Sequence, residues 1–319
     1  MLDKFNRDIN YLRVSLTNDC NLRCLYCMPK INCIAQKNNL NLAEFSRLLK
    51  LFSLIGITKI RFTGGEPLLY PHLATLINEA NALKSIKQIA LTTNGLLLAD
   101  KLALFKQNGL TSVNISLDCI DKNLFSKITR GGDIDKVFAS IKQAQKLNLP
   151  VKLNSVMLQH INEHEIIPLA QFAKEQNIPL RFIELMPMGQ ARAYKGISEE
   201  KIKQQVKQFF GKLEPLPEDN SPAHYYLVDN TFTIGFISAV LHKFCSNCNR
   251  LRLTAAGMLK SCLFSIGGTD LKALLTAHKS DEEILTTLRS AIYHKPKQHH
   301  LETKLVTDKE HASMSLIGG

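Results

Sequence analysis

Residues 12–27 read LRVSLTNDCNLRCLYC, and two patterns run into one another there. Leu12, Val14 and Leu16 alternate with Arg13, Ser15 and Thr17, the period-2 signature of a strand with one apolar face. The strand leads into Cys20, Cys24 and Cys27, spaced C-x3-C-x2-C. A second triplet, Cys245, Cys248 and Cys262, stands far down the chain. Four-iron clusters are usually held by four thiolates, so each three-cysteine set leaves one iron open to bind something else. Disulfides account poorly for the pattern. The chain of 319 residues far exceeds the small secreted scaffolds that need staples, and it opens MLDKFNRDIN without an apolar export segment. Structural zinc shares the C-x2-C spacing but takes four ligands, and no fourth Cys or His stands at finger spacing beside either triplet. Cys33 and Cys119 read as ordinary thiols.

Outward from this stretch the alternation recurs. Strands are predicted at 12–16, 59–63, 89–93, 113–118, 151–156 and 180–185, with helices near 42–55, 72–84, 99–108, 134–148 and 163–176. Asn41 with Glu44 three residues on is a helix-start signal, and Asn162 with Glu165 repeats it. Six βα units in series imply a parallel sheet with helices outside. Six is fewer than the eight of a closed barrel. The expected fold is therefore α/β, a partial (β/α)6 TIM-type barrel with a C-terminal iron–sulfur-binding extension; a doubly wound sheet is the alternative. The expected organisation is a core over 1–190, a second-cluster domain over 191–293 and a tail over 294–319 ending in Gly-Gly. Residues 214–222 read as a polar, Pro-rich break, and a hairpin is expected around Asp229 and Asn230. His294, His299 and His300 fall in the tail, which reads as solvated.

A 45% hydrophobic content suffices for a core, and no apolar run approaches the ~18 residues of a membrane span. With reduced-thiol chemistry this predicts a cytoplasmic protein without a membrane partner. The net charge of +12 permits nucleic acid or a polyanionic small molecule. Lysines such as Lys84, Lys101 and Lys142 are scattered over helical faces, so no nucleic-acid partner is expected.

Strand alternation locates the charges. If the apolar residues pack on the helices, Arg13, Arg61 and Lys152 point into the barrel. Buried cations cost several kcal/mol each if unpaired, so they demand anions. Asp118 and Glu184 are the internal candidates, and a phosphate-bearing ligand is the external one.

Gly64-Gly65-Glu66-Pro67 follows the second strand directly. With C-x3-C-x2-C after the first strand, the chain resembles the radical S-adenosylmethionine (SAM) enzymes. LRVSLTNDCNLRCLYCMP, KIRFTGGEPLL, LTTNG, VNISLDCID, LRFIELMPMG, FCSNCNRLRLTAAGMLKSCLF and the terminal Gly318-Gly319 are similar to the GTP 3′,8-cyclase (MoaA) family of molybdenum-cofactor biosynthesis. The resemblance implies two [4Fe-4S] clusters and S-adenosyl-L-methionine as cofactors. Cys20, Cys24 and Cys27 would ligate the SAM cluster, and Cys245, Cys248 and Cys262 the second, whose open iron binds the guanine of GTP. Tyr26, Gly65, Ser116 and Met186 fall at SAM-contact positions. Arg13, Arg61, Thr92, Lys152 and the run Arg250-Leu251-Arg252 fall at GTP positions, with Arg250, Arg252, Gly318 and Gly319 in catalytic roles. The implied reaction abstracts the ribose C3′ hydrogen, joins C3′ to guanine C8 and yields 3′,8-cyclo-7,8-dihydro-GTP. The implied partners are a low-potential electron donor, the downstream cyclic pyranopterin monophosphate synthase and a second copy of the chain as a homodimer. Two rivals stand beside this reading. A peptide-acting two-cluster radical SAM enzyme would generally carry more C-terminal cysteines, and a zinc-binding nucleic-acid module would lack iron.

Overall fold

The computed structural model describes residues 1–29, 39–217, 221–265, 267–299 and 314–317. Six parallel strands form its centre: β1 (Tyr11–Ser15), β2 (Lys59–Thr63), β3 (Gln88–Thr93), β4 (Ser112–Ser116), β5 (Val151–Val156) and β6 (Leu180–Ile183), neighbours in chain order. Their connections carry α1 (Leu42–Leu54), α2 (Leu73–Ala82), α3 (Leu102–Gln107), α4 (Lys122–Thr129), α5 (Ile134–Lys146) and α6 (Ile166–Glu175). The apolar strand set faces these helices: Leu12, Val14, Ile60, Phe62, Val113, Ile115 and Leu153 are all fully buried in one core with Phe45, Phe52, Ile141 and Leu169. That leaves the polar set on the inner face. The α1 start signal is real: Asn41 Oδ1 accepts from Glu44 N at 3.0 Å while Glu44 Oε2 accepts from Asn41 N at 2.8 Å.

The signal at Asn162 means something else. No side-chain cap forms there. Instead Asn162 Nδ2 donates to the carbonyls of Asp118 and Val156, its Oδ1 accepts from Leu158 N, and Glu165 accepts from Ile120 N. The pair ties together the loops after β4 and β5, a demand for buried backbone pairing that outweighs capping. Helix α4 was not expected either. It is short, and its N-cap is Asp121, accepting from Leu124 N at 2.7 Å.

After β6 come α7 (Glu199–Phe210), β7 (Leu213–Pro215), β8 (His224–Val228), β9 (Phe232–Ile237), β10 (Arg250–Leu253), β11 (Met258–Lys260), β12 (Thr269–Asp270), α8 (Leu271–Thr276) and α9 (Asp281–Tyr293). The sheet order is β12-β11-β10-β1-β2-β3-β4-β5-β6-β9-β8-β7. Strand β10 adds parallel to β1, and β9 adds parallel to β6. The extension therefore lengthens the barrel sheet at both edges, and residues 238–249 run from one edge to the other. Asp229 and Asn230 adopt left-handed backbone (φ 46° and 54°) at the β8–β9 turn, as a tight hairpin between twisted strands requires. The expected break at 214–222 contains the outermost strand β7, where Pro215 is tolerated because nothing among the described residues pairs beyond it.

Residues 294–299 are solvated only in part: His294, Pro296, Lys297 and Gln298 are exposed, as expected, but Lys295 and His299 are buried. Arg7, ion-paired to Asp3, donates to the carbonyls of Lys295, Pro296 and Lys297, and to that of Cys245. Lys295 is 2% exposed and His299 6%. A segment without periodicity is nonetheless held here, because Lys295 and His299 find backbone acceptors inside the protein.

Candidate active site

Both cysteine triplets open onto one cavity of about 920 Å³ on the concave face of the sheet. Its lining is ordered along the strand axis. At the C-terminal strand ends stand Cys20, Cys24, Tyr26, Cys27, Gly65, Ser116 and Met186. Nearer the N-terminal halves stand Tyr11, Arg13, Lys59, Arg61, Lys152 and Arg181. Arg250, Arg252, Cys245, Cys248 and Cys262 enter from the strand added beside β1 and its flanking loops.

The loop after β1 coils back on itself, with Cys27 N and Met28 N donating to Cys24 O at 3.0 and 3.1 Å. Cys20 Sγ accepts from Leu22 N at 3.4 Å and from Asn94 Nδ2 at 3.8 Å. Burial, then the neighbouring thiols and Asp118, push Cys24 well above the ordinary thiol range, and burial with Cys20 and Asp118 pushes Cys27 to about 12. Among the described residues no three side chains close around a single metal ion, so thiols that stand apart yet oppose one another's ionisation fit a multi-iron centre, which supplies the charge that thiolates need. Gly65 permits the close approach of this loop to the next: a Cβ there would lie 2.2 Å from Asp19 O and 2.7 Å from Asn18 O. Gly65 N and Glu66 N donate across that gap to Thr17 O and Asp19 O, each at 2.7 Å. Glu66 is buried and accepts from Thr93 Oγ1, Asn94 N and Leu68 N. Burial raises its carboxyl to about 7.

Tyr26 donates to Asp118 Oδ2 at 2.7 Å, while Asp118 Oδ1 accepts from Val156 N. Burial lifts Asp118 to about 6. Glu184 accepts from Val240 N and Leu241 N. Among the described residues these are the carboxylates of the cavity wall, and their bonds lie elsewhere. Of the two answers to the inward cations, internal carboxylates or a phosphate-bearing ligand, the first is not met by these groups, which accept from loop amides and a phenol. Arg61, Lys152 and Arg181 bond instead to hydroxyl, carbonyl and amide oxygens. Arg61 donates to Tyr11 Oη at 2.7 Å, Leu91 O at 2.9 Å and Thr92 Oγ1 at 3.2 Å. Lys152 donates to Tyr225 Oη at 3.0 Å, and Arg181 to Asn154 Oδ1 at 2.9 Å. Arg13, Arg250 and Arg252 crowd together, and burial with the two neighbouring guanidiniums lowers Arg252 to about 9.

At the second triplet, Cys248 N donates to Cys245 O at 3.3 Å. Burial raises Cys248, but Arg250 and Lys295 outweigh it and bring the thiol down to about 6. A thiol already favoured as thiolate suits a metal centre. Lys295 donates to Arg250 O and Ser261 O, tying β10 to the Cys262 loop.

The structure thus gathers Arg13, Arg61, Thr92, Lys152, Arg250 and Arg252 at one wall. Leu251 is not among them: β10 alternates, and its side chain is 0% exposed in the opposite core. Gly318 and Gly319 lie outside the described residues, as do Cys33 and His300. Met314 reaches the cavity, and Ile317 packs in a small apolar cluster with Met188 and Phe264. Sequence reasoning missed Tyr11, Lys59 and Arg181. The alternation that exposed Arg13 holds for each of them, since Tyr11 and Lys59 are two residues before Arg13 and Arg61, and Arg181 lies between Leu180 and Phe182.

Residues 14–173 match the Radical SAM superfamily, and residues 178–301 match Molybdenum Cofactor Synthesis C. A curated relative, the GTP 3′,8-cyclase of Desulforamulus reducens, is 43% identical over 328 residues, with both chains fully covered. The GTP 3′,8-cyclase of Clostridium perfringens strain 13 is 42% identical over 327 residues, again over the whole of both chains. In fold, the chain is similar to Streptococcus suis SuiB bound to precursor peptide SuiA (TM-score 0.64, 15% identity, 93% of this chain and 67% of that one). It is also similar to anSMEcpe with bound AdoMet and Cp18Cys peptide (TM-score 0.50, 20% identity, 64% and 60%). Full-length identity above 40%, two matched domains and the cavity just described lead to one conclusion: the chain belongs to the GTP 3′,8-cyclase family of radical SAM enzymes.

Proposed function

We infer that this chain is a radical SAM cyclase converting GTP to (8S)-3′,8-cyclo-7,8-dihydroguanosine 5′-triphosphate, the first step of molybdenum cofactor biosynthesis. The observation that carries the reading is the single cavity with a thiol triplet at each side and a cationic wall between its ends. When bound, the two [4Fe-4S] clusters and SAM supply the electron and the carbon radical that opens the ribose C3′–H bond. The chain itself supplies position and electrostatics. Cys20, Cys24 and Cys27 hold the SAM-side cluster, with Tyr26, Gly65, Ser116 and Met186 around the cosubstrate. Gly65 keeps the first cysteine loop closed against the turn after β2, where a Cβ would strike the backbone of Asp19. Cys245, Cys248 and Cys262 would hold the second cluster, whose open iron would bind the guanine of GTP. Arg13, Arg61, Thr92 and Lys152 bind the triphosphate, Lys59 and Arg181 strengthen the same pole, and Arg250 and Arg252 act nearest the reacting nucleoside. Gly318 and Gly319 complete the catalytic set in this reading.

The divisions at 190 and 293 mark the SAM-binding core, the second-cluster domain and the tail. The chain works as a cytoplasmic homodimer, fed by a low-potential electron donor and passing product to cyclic pyranopterin monophosphate synthase, without membrane or nucleic-acid partners. No helix among the described residues is long and apolar enough to cross a membrane.

The test is anaerobic reconstitution, iron counting and product analysis with GTP and SAM. About eight irons per chain, as two four-iron clusters require, with GTP-dependent 5′-deoxyadenosine and a cyclised nucleotide, are expected. An iron-free protein, or one that yields no cyclised nucleotide, overturns the reading.

A further inference from the structure

The two arginines at the base of the cavity are held by a phenol. Tyr11 is 8% exposed on the cavity wall. Its oxygen accepts from Arg61 Nε at 2.7 Å, and the Arg13 guanidinium, two residues on along the same face of β1, acts on it electrostatically. Lys59 Nζ lies 5.0 Å from the centre of its ring. Arg250 stands opposite Tyr11 in the β1–β10 register, and Arg181 on β6 completes the charged groups around it. Every one of these neighbours is a cation. A carboxylate at this position would orient the same guanidiniums but cancel one of their charges, which a polyanion site needs. A phenol accepts the same hydrogen bonds while remaining able to be neutral.

We propose that Tyr11 is a positioning residue for the triphosphate: its phenol oxygen holds the guanidiniums of Arg13 and Arg61 directed into the cavity, and it takes up a proton as the phosphates arrive. The proposal rests on the reading of this cavity as a GTP site. Burial on its own raises the phenol, but Arg61, Arg13 and Lys59 outweigh it and bring Tyr11 down to about 7. In the ligand-free site the phenol is therefore partly phenolate above neutral pH. A triphosphate entering among the same cations opposes that negative charge and raises the phenol's proton affinity. Binding then takes up a proton, and affinity falls as pH rises above about 7. A diphosphate, with less charge, produces a smaller effect.

The experiment is calorimetric titration of the reconstituted full-length protein with GTP and with GDP, at about pH 6.5 and about pH 8.5, in buffers of differing ionisation enthalpy. Tyr11→Phe keeps the ring and removes the acceptor. The control is Tyr226→Phe, whose hydroxyl accepts from Lys203 away from the cavity wall. Tyr11→Phe is expected to weaken GTP roughly tenfold and GDP by less, because hydrogen bonds to charged groups are lost. It should also release fewer buffer protons than wild type at the higher pH, while Tyr226→Phe leaves all three quantities unchanged. Proton uptake in the wild-type titration stands as evidence even if Tyr11→Phe folds poorly. An unchanged GTP-to-GDP ratio together with an unchanged proton count in Tyr11→Phe overturns the role of Tyr11 while leaving the GTP site intact. A wild-type protein that binds no GTP overturns the site reading and the proposal with it.

Discussion

Single side chains decide the chemistry, and Arg252 is the clearest case. It lies among Arg13, Arg250, Cys248 and Cys262, and its guanidinium is held below its usual range by burial and like charge. A cation kept under that repulsion is matched to charge that develops in a ligand. Arg252→Ala is expected to leave SAM cleavage measurable while cyclised product falls by about 10²–10³, the usual loss of one preorganised electrostatic donor; product yield equal to wild type contradicts the role. Glu66 offers a pH test. Its folded carboxyl is raised to about 7 from 4.5, so the native state holds a proton that the unfolded chain has lost. Stability from this group is complete below about 4.5 and is lost as pH rises through about 7. Urea unfolding should show wild type losing on the order of 3 kcal/mol more than Glu66→Gln between those limits. Much of this scale was legible: the cysteines, Arg13, Arg61 and Lys152 all follow from spacing or alternation. Leu251 was not, because a run of three matched residues hides that the middle one faces the other way.

Elements were legible where their signal is local. Strands β2 and β5 coincide with their predicted limits because period-2 apolar spacing needs no partner to be read. The additions of β10 to β1 and β9 to β6 join residues some 240 and 50 positions apart, and nothing local in either segment announces its neighbour. The Asn162–Glu165 signal failed for a similar reason, since the loops it ties are distant in sequence. The segment after α9 carries no periodic signal, yet its lysine is a buried strut between β10 and the Cys262 loop. Lys295→Met should leave two buried carbonyls without their donor, at about 1–3 kcal/mol each. The expected outcome is a lower melting temperature and an iron content falling from about eight toward about four; unchanged iron with an unchanged melt removes the strut role.

At the scale of the molecule, the cavity is an electrostatic gradient, with the first thiol triplet at the strand C-termini and the cations toward the N-termini, where the second triplet also stands. Walls of low dielectric keep such a field from being screened locally, but long-range attraction of a polyanion weakens with ionic strength. The KM for GTP is therefore expected to rise severalfold as salt increases from about 0.05 M to about 0.5 M, with the KM for SAM nearly constant. Equal responses of both would argue against a phosphate pole. The overall topology was readable only to its sixth strand, because closure of the sheet's edges is a property of the assembled chain.

Arg7 joins the first residues of the protein to Cys245 and to residues 295–297. Translation delivers those partners nearly three hundred residues apart. A nascent chain owns all three thiols of its first triplet long before it leaves the ribosome, yet the clasp around the second cannot shut until the final stretch emerges. The clasp beside Cys245 is therefore among the last features of the protein that synthesis allows to form.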